Sequence, residues 1–187
     1  MGRLQVRGPL RARRAPGRLP DGDRFEACGE GFPAAGGSVA MTDAQRVRQQ
    51  MLLRHASGYI ELGEILIEAD EAVPASAARL LRRALATLEE LPAAARDDAV
   101  ARLLEGEALR ALGRWQEALV PLGRVVEEDA SRVEAWLGIG WCLKRLGRLT
   151  EAIEGLRRGL ETAPEKAILH YNLACYLSLA RDAATAT

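Results

Sequence analysis

The chain has 187 residues, 48% of them hydrophobic, and 26 Lys and Arg balance 26 Asp and Glu. A neutral balance gives no argument for nucleic acid as the general partner. No stretch approaches the roughly 18–20 consecutive apolar residues that a membrane-spanning helix needs, so we expect a single soluble domain.

Residues 1–40 differ from the rest of the chain in composition. They contain seven Arg, four acidic residues and twelve Gly or Pro, without a helical or strand period. Such a sequence buries too little apolar surface to offset the entropy of ordering, so we expect a disordered segment. Three alternatives stay open: an upstream extension that is not native protein, an Arg-rich arm that binds RNA or acidic surfaces, and a targeting peptide. The first rests on residues 41–45, which look like a natural start with a helix capping box.

A helical domain with seven helices is predicted over residues 41–180, followed by a disordered tail over 181–187. Its first clear apolar stripe has the i, i+3, i+4, i+7 spacing of one helix face, and a second stripe follows it. The two stripes are Tyr59, Leu62, Gly63 and Leu66, and then Ala77, Leu81, Ala84 and Leu85.

Two units of equal length, 99–132 and 133–166, then follow each other without a gap. A fixed period between 20 and 50 residues indicates stacked repeats that bury their apolar faces on one another. Twelve positions are identical in the two units: Ala101/Ala135, Leu103/Leu137, Gly106/Gly140, Leu109/Leu143, Leu112/Leu146, Gly113/Gly147, Arg114/Arg148, Glu117/Glu151, Ala118/Ala152, Leu122/Leu156, Arg124/Arg158 and Glu127/Glu161.

Each unit is predicted to form two short helices. Gly147 follows the first stripe of the second unit, where a residue that adopts positive φ ends a helix. Residues 167–180 repeat the first helix of a further unit and stop there. The two stripes of the second unit are Trp136, Ile139, Gly140 and Leu143, and then Leu149, Ala152, Ile153, Leu156 and Leu160.

The second unit resembles the tetratricopeptide repeat, whose pattern is W-x2-L-G-x2-Y, then A-x3-F, then P. Its own sequence reads W-x2-I-G-x2-L from Trp136, A-x3-L from Ala152, and ends with Pro164. The resemblance covers roughly residues 57–180, if about two residues are inserted near Pro74. It implies an all-α, right-handed α-solenoid of antiparallel helix pairs, with about three repeats plus a half repeat. The residues expected to pack the repeats are Tyr59, Leu62, Gly63, Gly106, Ala118, Trp136, Gly140, Leu143, Ala152, Leu156, Pro164 and Ala174.

In proteins of this family the first helices of successive units line a concave groove that binds peptides. Members that clamp a terminal carboxylate carry Lys, Arg and Asn at several groove positions, whereas here only Asn172 fits, and Glu107 and Glu134 oppose an anionic ligand. Trp141 and Tyr171 are the expected anchors, because aromatic side chains dominate binding hot spots. For Trp141, packing against the neighbouring unit is an open alternative. Carried over by position, the peptide-binding candidates are Glu107, Arg110, Trp141, Lys144, Arg145, Tyr171 and Asn172.

Two residues conflict with the helical pattern. Glu105 occupies a position that is usually buried and apolar, so we expect it to pair with Arg102 or with an Arg of the preceding helix. Pro121 lies inside a helix and removes one hydrogen bond, so we expect a mild bend near Glu117 and no break. The half unit 167–180 has no following helix, so its apolar stripe requires a protein partner, self-association or a longer chain.

The sequence shows no pattern of catalysis, of cofactor binding or of metal binding. His55 and His170 have no companion ligand at metal-binding spacing. His170 takes the position of Trp136 in its unit and is expected to be a packed helix residue. The three Cys residues have no C-x-x-C spacing, which indicates neither zinc nor a disulfide framework and favours the cytoplasm.

The expected function is therefore non-catalytic: an interaction scaffold, co-chaperone or assembly factor that binds a protein segment. Two alternatives are left open. In the first alternative, the chain is a regulatory subunit or fragment of a larger multidomain enzyme. In the second, it is an RNA-associated adaptor that uses the Arg-rich arm in residues 1–40. No membrane partner is expected, and the acidic balance of residues 41–187 does not favour nucleic acid.

Overall fold

The computed structural model describes residues 41–67 and 72–185, with side chains up to residue 182. The predictions for residues 1–40 lie outside the described residues. Within the described ranges the chain is all-helical, as predicted, and contains no strand. The helices are α1 (Asp43–Ile65), α2 (Ala75–Glu89), α3 (Ala93–Arg96), α4 (Ala99–Ala111), α5 (Trp115–Glu128), α6 (Val133–Arg145), α7 (Leu149–Thr162) and α8 (Ala167–Thr185).

Side-chain caps fix the start of two helices. Before α1, the Gln45 backbone N–H donates to Thr42 Oγ1 at 3.3 Å, and the Thr42 N–H donates to Gln45 Oε1 at 2.8 Å. This is the capping box predicted from the sequence. Before α4, the Asp98 carboxylate accepts from the Val100 N–H at 2.9 Å. Both caps satisfy backbone donors that the first turn of a helix leaves free.

Glycines end α4 and α6 at equivalent places. Gly113 and Gly147 each have a φ of 76°, a left-handed conformation that costs glycine little. After Gly147, the Arg148 N–H donates to the Leu143 carbonyl at 2.8 Å and so satisfies one of the carbonyls that the last turn leaves free. The helix end predicted at Gly147 is confirmed.

In the two units of equal length, the paired helices pack through a contact between a glycine and a leucine. A Cβ atom on Gly106 would lie 2.5 Å from Leu122 Cγ, and one on Gly140 would lie 3.3 Å from Leu156 Cδ2. The missing side chain at each glycine therefore lets the two backbones approach closely, which is the packing reason for the small residue in the repeat pattern.

The α1–α2 pair repeats this contact with a longer connection. A Cβ on Gly63 would lie 2.9 Å from Leu81 Cδ2. The segment from this glycine to its leucine is two residues longer than the corresponding segment in each of the later pairs. The two additional residues agree with the insertion predicted near Pro74.

The helix pairs stack in chain order as an α-solenoid of three repeats plus a half repeat, as predicted. The pairs are α1–α2, α4–α5 and α6–α7, and α8 adds the half repeat. The first helices of successive units contact one another directly: α1 contacts α4, α4 contacts α6, and α6 contacts α8. The second helices contact one another less, both between α2 and α5 and between α5 and α7. The first helices therefore lie closer together, on the inside of the curve that the stack forms.

The hydrophobic core is continuous over the later units and divided near the first pair. One cluster of buried side chains extends from Leu109 to Tyr176. Helices α1 to α4 contribute two smaller clusters, one around Leu88 and the other around Leu81. The first helix pair is therefore joined to the array through separate patches of apolar surface.

The structure differs from the prediction of seven helices at two places. The single turn α3 is an additional helix between α2 and α4, and it is held by Leu91 and Ala95, which are both buried. At the other end, α8 continues to Thr185, into the segment predicted to be a disordered tail. The alanine-rich sequence after residue 180 explains this, because alanine has the highest helix propensity.

The residues expected to pack the repeats differ in burial. Eight are buried: Gly63, Gly106, Ala118, Trp136, Gly140, Leu143, Ala152 and Leu156. Tyr59 is half-buried, whereas Leu62, Pro164 and Ala174 are exposed, which corrects the packing role expected for these three. Among the described helices none precedes α1 to cover Leu62 and none follows α8 to cover Ala174, and Pro164 lies in the turn after α7.

The two residues in conflict with the helical pattern have different outcomes. Glu105 is exposed and forms no ion pair with an Arg of the described residues, so the predicted pairing is wrong. Arg102 instead pairs with Asp97 at 3.3 Å and with Glu128 at 2.7 Å. Helix α5 passes Pro121 without a break, as expected, and the bend near Glu117 stays a prediction.

Candidate binding groove

The predicted peptide-binding residues lie on α4, α6 and α8, the first helices of successive units. We call the surface that they form, together with their neighbours on α1, the inner face. Their side chains differ in exposure. Glu107, Arg110, Lys144 and Asn172 are half-buried, and Trp141, Arg145 and Tyr171 are exposed.

The part of the inner face nearest to α1 is acidic. Arg110 on α4 forms an ion pair with Glu64 on α1. The carboxylates of Glu61, Glu64 and Glu134 are all close enough to Glu107 to affect its ionisation. Glu107 thus has three other carboxylates and one guanidinium near it, so this end of the inner face favours a basic ligand over an anionic one.

Burial raises the pKa of the Glu107 carboxyl above its ordinary value of 4.5. Arg110 opposes this rise, and the carboxylates of Glu64, Glu134 and Glu61 add to it. Because the folded-state pKa lies above the unfolded one, the folded protein binds this proton more tightly than the unfolded chain does. The ionised carboxylate therefore destabilises the fold at neutral pH, and this cost disappears as the pH falls below 4.5.

Glu107→Gln is expected to stabilise the protein at pH 7, because the amide removes a half-buried charge from among other carboxylates. We expect the melting temperature to rise by about 1–3 °C at pH 7, and the difference from wild type to shrink at pH 4. Thermal denaturation followed by circular dichroism at both pH values measures this. Glu127→Gln, at an exposed position of α5, is the control and should leave the melting temperature unchanged. A stabilisation of equal size at both pH values would contradict the prediction.

The other end of the inner face is aromatic and basic. The Lys144 ammonium lies 4.3 Å from the centroid of the Trp141 ring and 5.7 Å from that of Tyr176. A cation over a ring face is attracted by the ring's quadrupole, so Lys144 connects the aromatic side chains of α6 and α8. Trp141 stays 39% exposed, which leaves part of the indole free to contact a ligand.

The remaining candidates are engaged to different degrees. Tyr171 is 67% exposed at the start of α8. The Asn172 side-chain amide donates to the Ile168 carbonyl at 2.8 Å, so the single residue that fits the carboxylate-clamp pattern is bonded within its own helix. The Arg145 guanidinium carbon lies 5.0 Å from the centroid of the Trp115 ring on α5, away from the first helices.

Three inner-face residues, Glu61, Glu64 and Tyr176, are not among the candidates predicted from the sequence. Glu64 follows Gly63 as Glu107 follows Gly106, so the same position in the upstream unit could have identified it. Tyr176 takes the position that Cys142 has one unit earlier, and its ring is buried beside Lys144. Its contact with the lysine depends on how α6 packs against α8, for which the sequence contains no signal.

The described cysteines and histidines do not form a reactive centre. Burial raises the pKa of the Cys142 thiol to about 11, which keeps it protonated and unreactive at neutral pH. His170 is exposed, contrary to the packed position expected for it. In residues 41–67 and 72–185 no group of three His, Cys, Asp or Glu side chains could hold a metal ion. No helix in these ranges combines the length and the hydropathy that crossing a membrane requires.

Comparisons with known proteins concern the repeat architecture. A structure of MamA from MSR-1 is 21% identical to the chain, and the match covers 74% of this chain and 87% of that one, with a TM-score of 0.48. A structure of MamA from AMB-1 is 23% identical, and the match covers 73% of this chain and 89% of that one, also with a TM-score of 0.48. A TPR-like protein from Chlorobium tepidum TLS is 19% identical over 72% of this chain and 93% of its own, with a TM-score of 0.47. No curated protein matches the chain.

The sequence itself matches the model of the tetratricopeptide repeat family over residues 109–174. The matched segment runs from the end of α4 into α8 and contains the Trp136, Ala152 and Pro164 positions on which the resemblance rests. Its helices form the continuous part of the core. Residues 109–174 of this chain therefore match the tetratricopeptide repeat in sequence, and they form the paired helices that the resemblance predicts.

Proposed function

We propose that the protein is a non-catalytic scaffold, of the co-chaperone or assembly-factor kind, that binds an extended segment of a partner protein along its inner face. Tetratricopeptide repeats generally mediate protein–protein interactions. The observation that carries the proposal is the exposed indole of Trp141, held by Lys144 on the inside of the array. An aromatic ring that is already positioned loses little conformational entropy on binding, so it contributes strongly to affinity.

The charges of the inner face favour a particular polarity in the partner segment. Its acidic end, around Glu107 and Glu134, attracts Lys or Arg side chains, and its aromatic end, around Trp141, suits an apolar side chain. The same acidic end disfavours a terminal carboxylate. The partner segment that we propose therefore has basic residues to one side of an apolar residue. We also propose a cytoplasmic location, which agrees with the free thiols of Cys142 and Cys175.

Trp141→Ala is expected to weaken binding of the partner by roughly 2 kcal/mol, about 30-fold in Kd, and to leave the helix content unchanged. The test is affinity purification with the full chain and with the Trp141→Ala variant as parallel baits. Mass spectrometry then identifies proteins that co-purify stoichiometrically with the wild type and are depleted from the variant. Purified partner and titration calorimetry give the change in Kd.

The control variant is Val47→Ala, at an exposed position of α1, which should retain the partner. Loss of helicity in Trp141→Ala would assign the indole to the packing between units instead. Recovery of untagged copies of the chain itself, without another protein, would favour self-association through α8, where Leu177 and Leu179 are exposed. The RNA-adaptor alternative depends on residues 1–40, outside the described residues.

A further inference from the structure

A second concave site lies between the first helix pair and the next one. It is a cleft of about 720 Å³, bounded by α2 and α3 on one side and by α4 and α5 on the other. Val120 on α5 is 58% exposed at this cleft. The apolar lining consists of Leu85, Leu88, Ala93, Ala101, Leu109, Val120 and Pro121. It contains none of the peptide-binding candidates of the inner face.

The cleft has a polar rim around this apolar lining. Its charged side chains are of both signs and come from all four bounding segments. Two of them are already paired with each other, since Arg114 forms an ion pair with Glu117. The exposed charged residues of the rim are Glu89, Arg96, Asp97, Glu105, Arg114, Glu117 and Arg124. An apolar centre enclosed by a polar rim is the arrangement found at hot spots of protein–protein interfaces.

The next junction of the array shows what fills the equivalent space. There, Trp136 and Ile139 project from α6 and are each only 9% exposed. A Cβ on Gly155 of α7 would lie 3.9 Å from the Trp136 ring and 3.8 Å from Ile139 Cγ2, so both side chains pack on α7. One unit earlier, the corresponding positions are Arg102 and Glu105, and the cleft lies beside them.

Neither Arg102 nor Glu105 replaces the missing apolar side chains. Glu105 is exposed. The Arg102 guanidinium is drawn to Asp97 and Glu128, and its Nε–H is buried without an acceptor among the described residues. A buried donor without a partner is unfavourable, so Arg102 closes this junction less well than an apolar side chain would. The wall formed by α5 also differs, because Pro121 stands where α7 has Gly155.

We propose that this cleft binds a segment of a partner protein that inserts an aromatic side chain and a branched aliphatic side chain three residues apart. The pair Trp136 and Ile139 has this spacing and fills the equivalent junction within the chain itself. The site is independent of the inner face, and its occupation does not depend on the function proposed above.

The test uses the full ¹⁵N-labelled chain and a blocked probe peptide, Ser-Trp-Ser-Ser-Ile-Ser, followed by ¹H–¹⁵N correlation spectra. We expect saturable shifts of the amides of Ala93, Arg102 and Val120. The matched peptide Ser-Ala-Ser-Ser-Ala-Ser should produce none. Val120→Glu places a charge beside the apolar lining and should weaken binding of the probe roughly tenfold or more, the effect of losing about 1.4 kcal/mol. Val47→Glu makes the same change at a similarly exposed site on α1 and should bind as wild type does.

Three results would overturn the proposal. The first is an absence of shifts at the cleft amides, or shifts confined to Trp141 and Tyr171. The second is equal binding by Val120→Glu and Val47→Glu when circular dichroism shows both to be folded. The third is a response to free indole as strong as that to the peptide, which would make the cleft a small-molecule pocket. Trp141→Ala should leave the cleft shifts intact. Binding at the cleft can therefore be tested separately from binding at the inner face.

Discussion

Replacing Trp136 with alanine is expected to lower the free energy of unfolding by about 3–5 kcal/mol. The indole packs on α7, where a Cβ on Gly159 would lie only 2.9 Å from Trp136 Cγ. Its Nε1–H donates to the Ala130 carbonyl at 2.9 Å, in the turn between α5 and α6. The ring thus joins two helix pairs, and alanine would leave a cavity and remove one hydrogen bond to the Ala130 carbonyl, which also accepts from Thr162 Oγ1 at 2.7 Å. Urea denaturation followed by circular dichroism measures the change.

His170→Ala is the matched control, because His170 lies one unit after Trp136. Its Nε2 is 2.7 Å from the Pro164 carbonyl, and Pro164 precedes it by the same interval as Ala130 precedes Trp136. His170 is exposed, however, so the variant loses the ring–carbonyl contact without opening a cavity. We expect a loss below about 1 kcal/mol. Equal losses for the two variants would show that the hydrogen bond, and not the packing of the indole, stabilises the junction.

The repeat architecture was predictable because its signals are local. Gly106 and Gly140 mark a close approach of two helices, and each is followed, at the same interval, by the leucine that fills the contact. Gly147 marks a helix end through its backbone conformation. Such positions are constrained by the backbone, so the residue type alone reports the structure.

The features that the sequence did not predict depend on contacts between units. A repeat pattern places Glu105 in a buried position, but it cannot show that α2 leaves a cleft beside it. Leu62 and Ala174 fit the packing pattern equally well, yet they are exposed because no described helix covers them. Burial at the ends of an array depends on the neighbour that is present and not on the repeat itself.

The inner face was predictable in position and less so in chemistry. The side chains of Trp141 and Tyr171 are exposed on the first helices, where the family pattern places binding residues. The pairing of Arg110 with Glu64 and the stacking of Lys144 on Trp141 depend on how side chains meet between or along helices. Charge at these positions could be counted from the sequence, but its partners required coordinates.

Leu122→Ala is expected to destabilise the protein by about 2–5 kcal/mol, because this side chain is fully buried between two first helices. It lies against Gly106 of α4, and a Cβ on Gly138 of α6 would be 3.0 Å from its Cδ1. Alanine would remove contacts to both helices and leave a cavity at the junction. Chemical denaturation measures the loss, and an effect below about 1 kcal/mol would show that α4 and α6 close around the smaller residue.

The reverse change, Gly106→Ala, tests the same contact from the other side. Its Cβ would lie 2.5 Å from the branch carbon of Leu122, so we expect a net loss of about 1–2 kcal/mol despite the higher helix propensity of alanine. Gly58→Ala meets nothing within 4 Å and should instead stabilise α1 by up to about 1 kcal/mol.

In the double variant, Gly106→Ala with Leu122→Ala, the new methyl group enters the space that the leucine vacates. The combined loss should therefore be smaller than the sum of the two single losses by about 1 kcal/mol or more. Additive losses would mean that the backbones of α4 and α5 separate to admit the methyl group, and that the glycine does not set their distance.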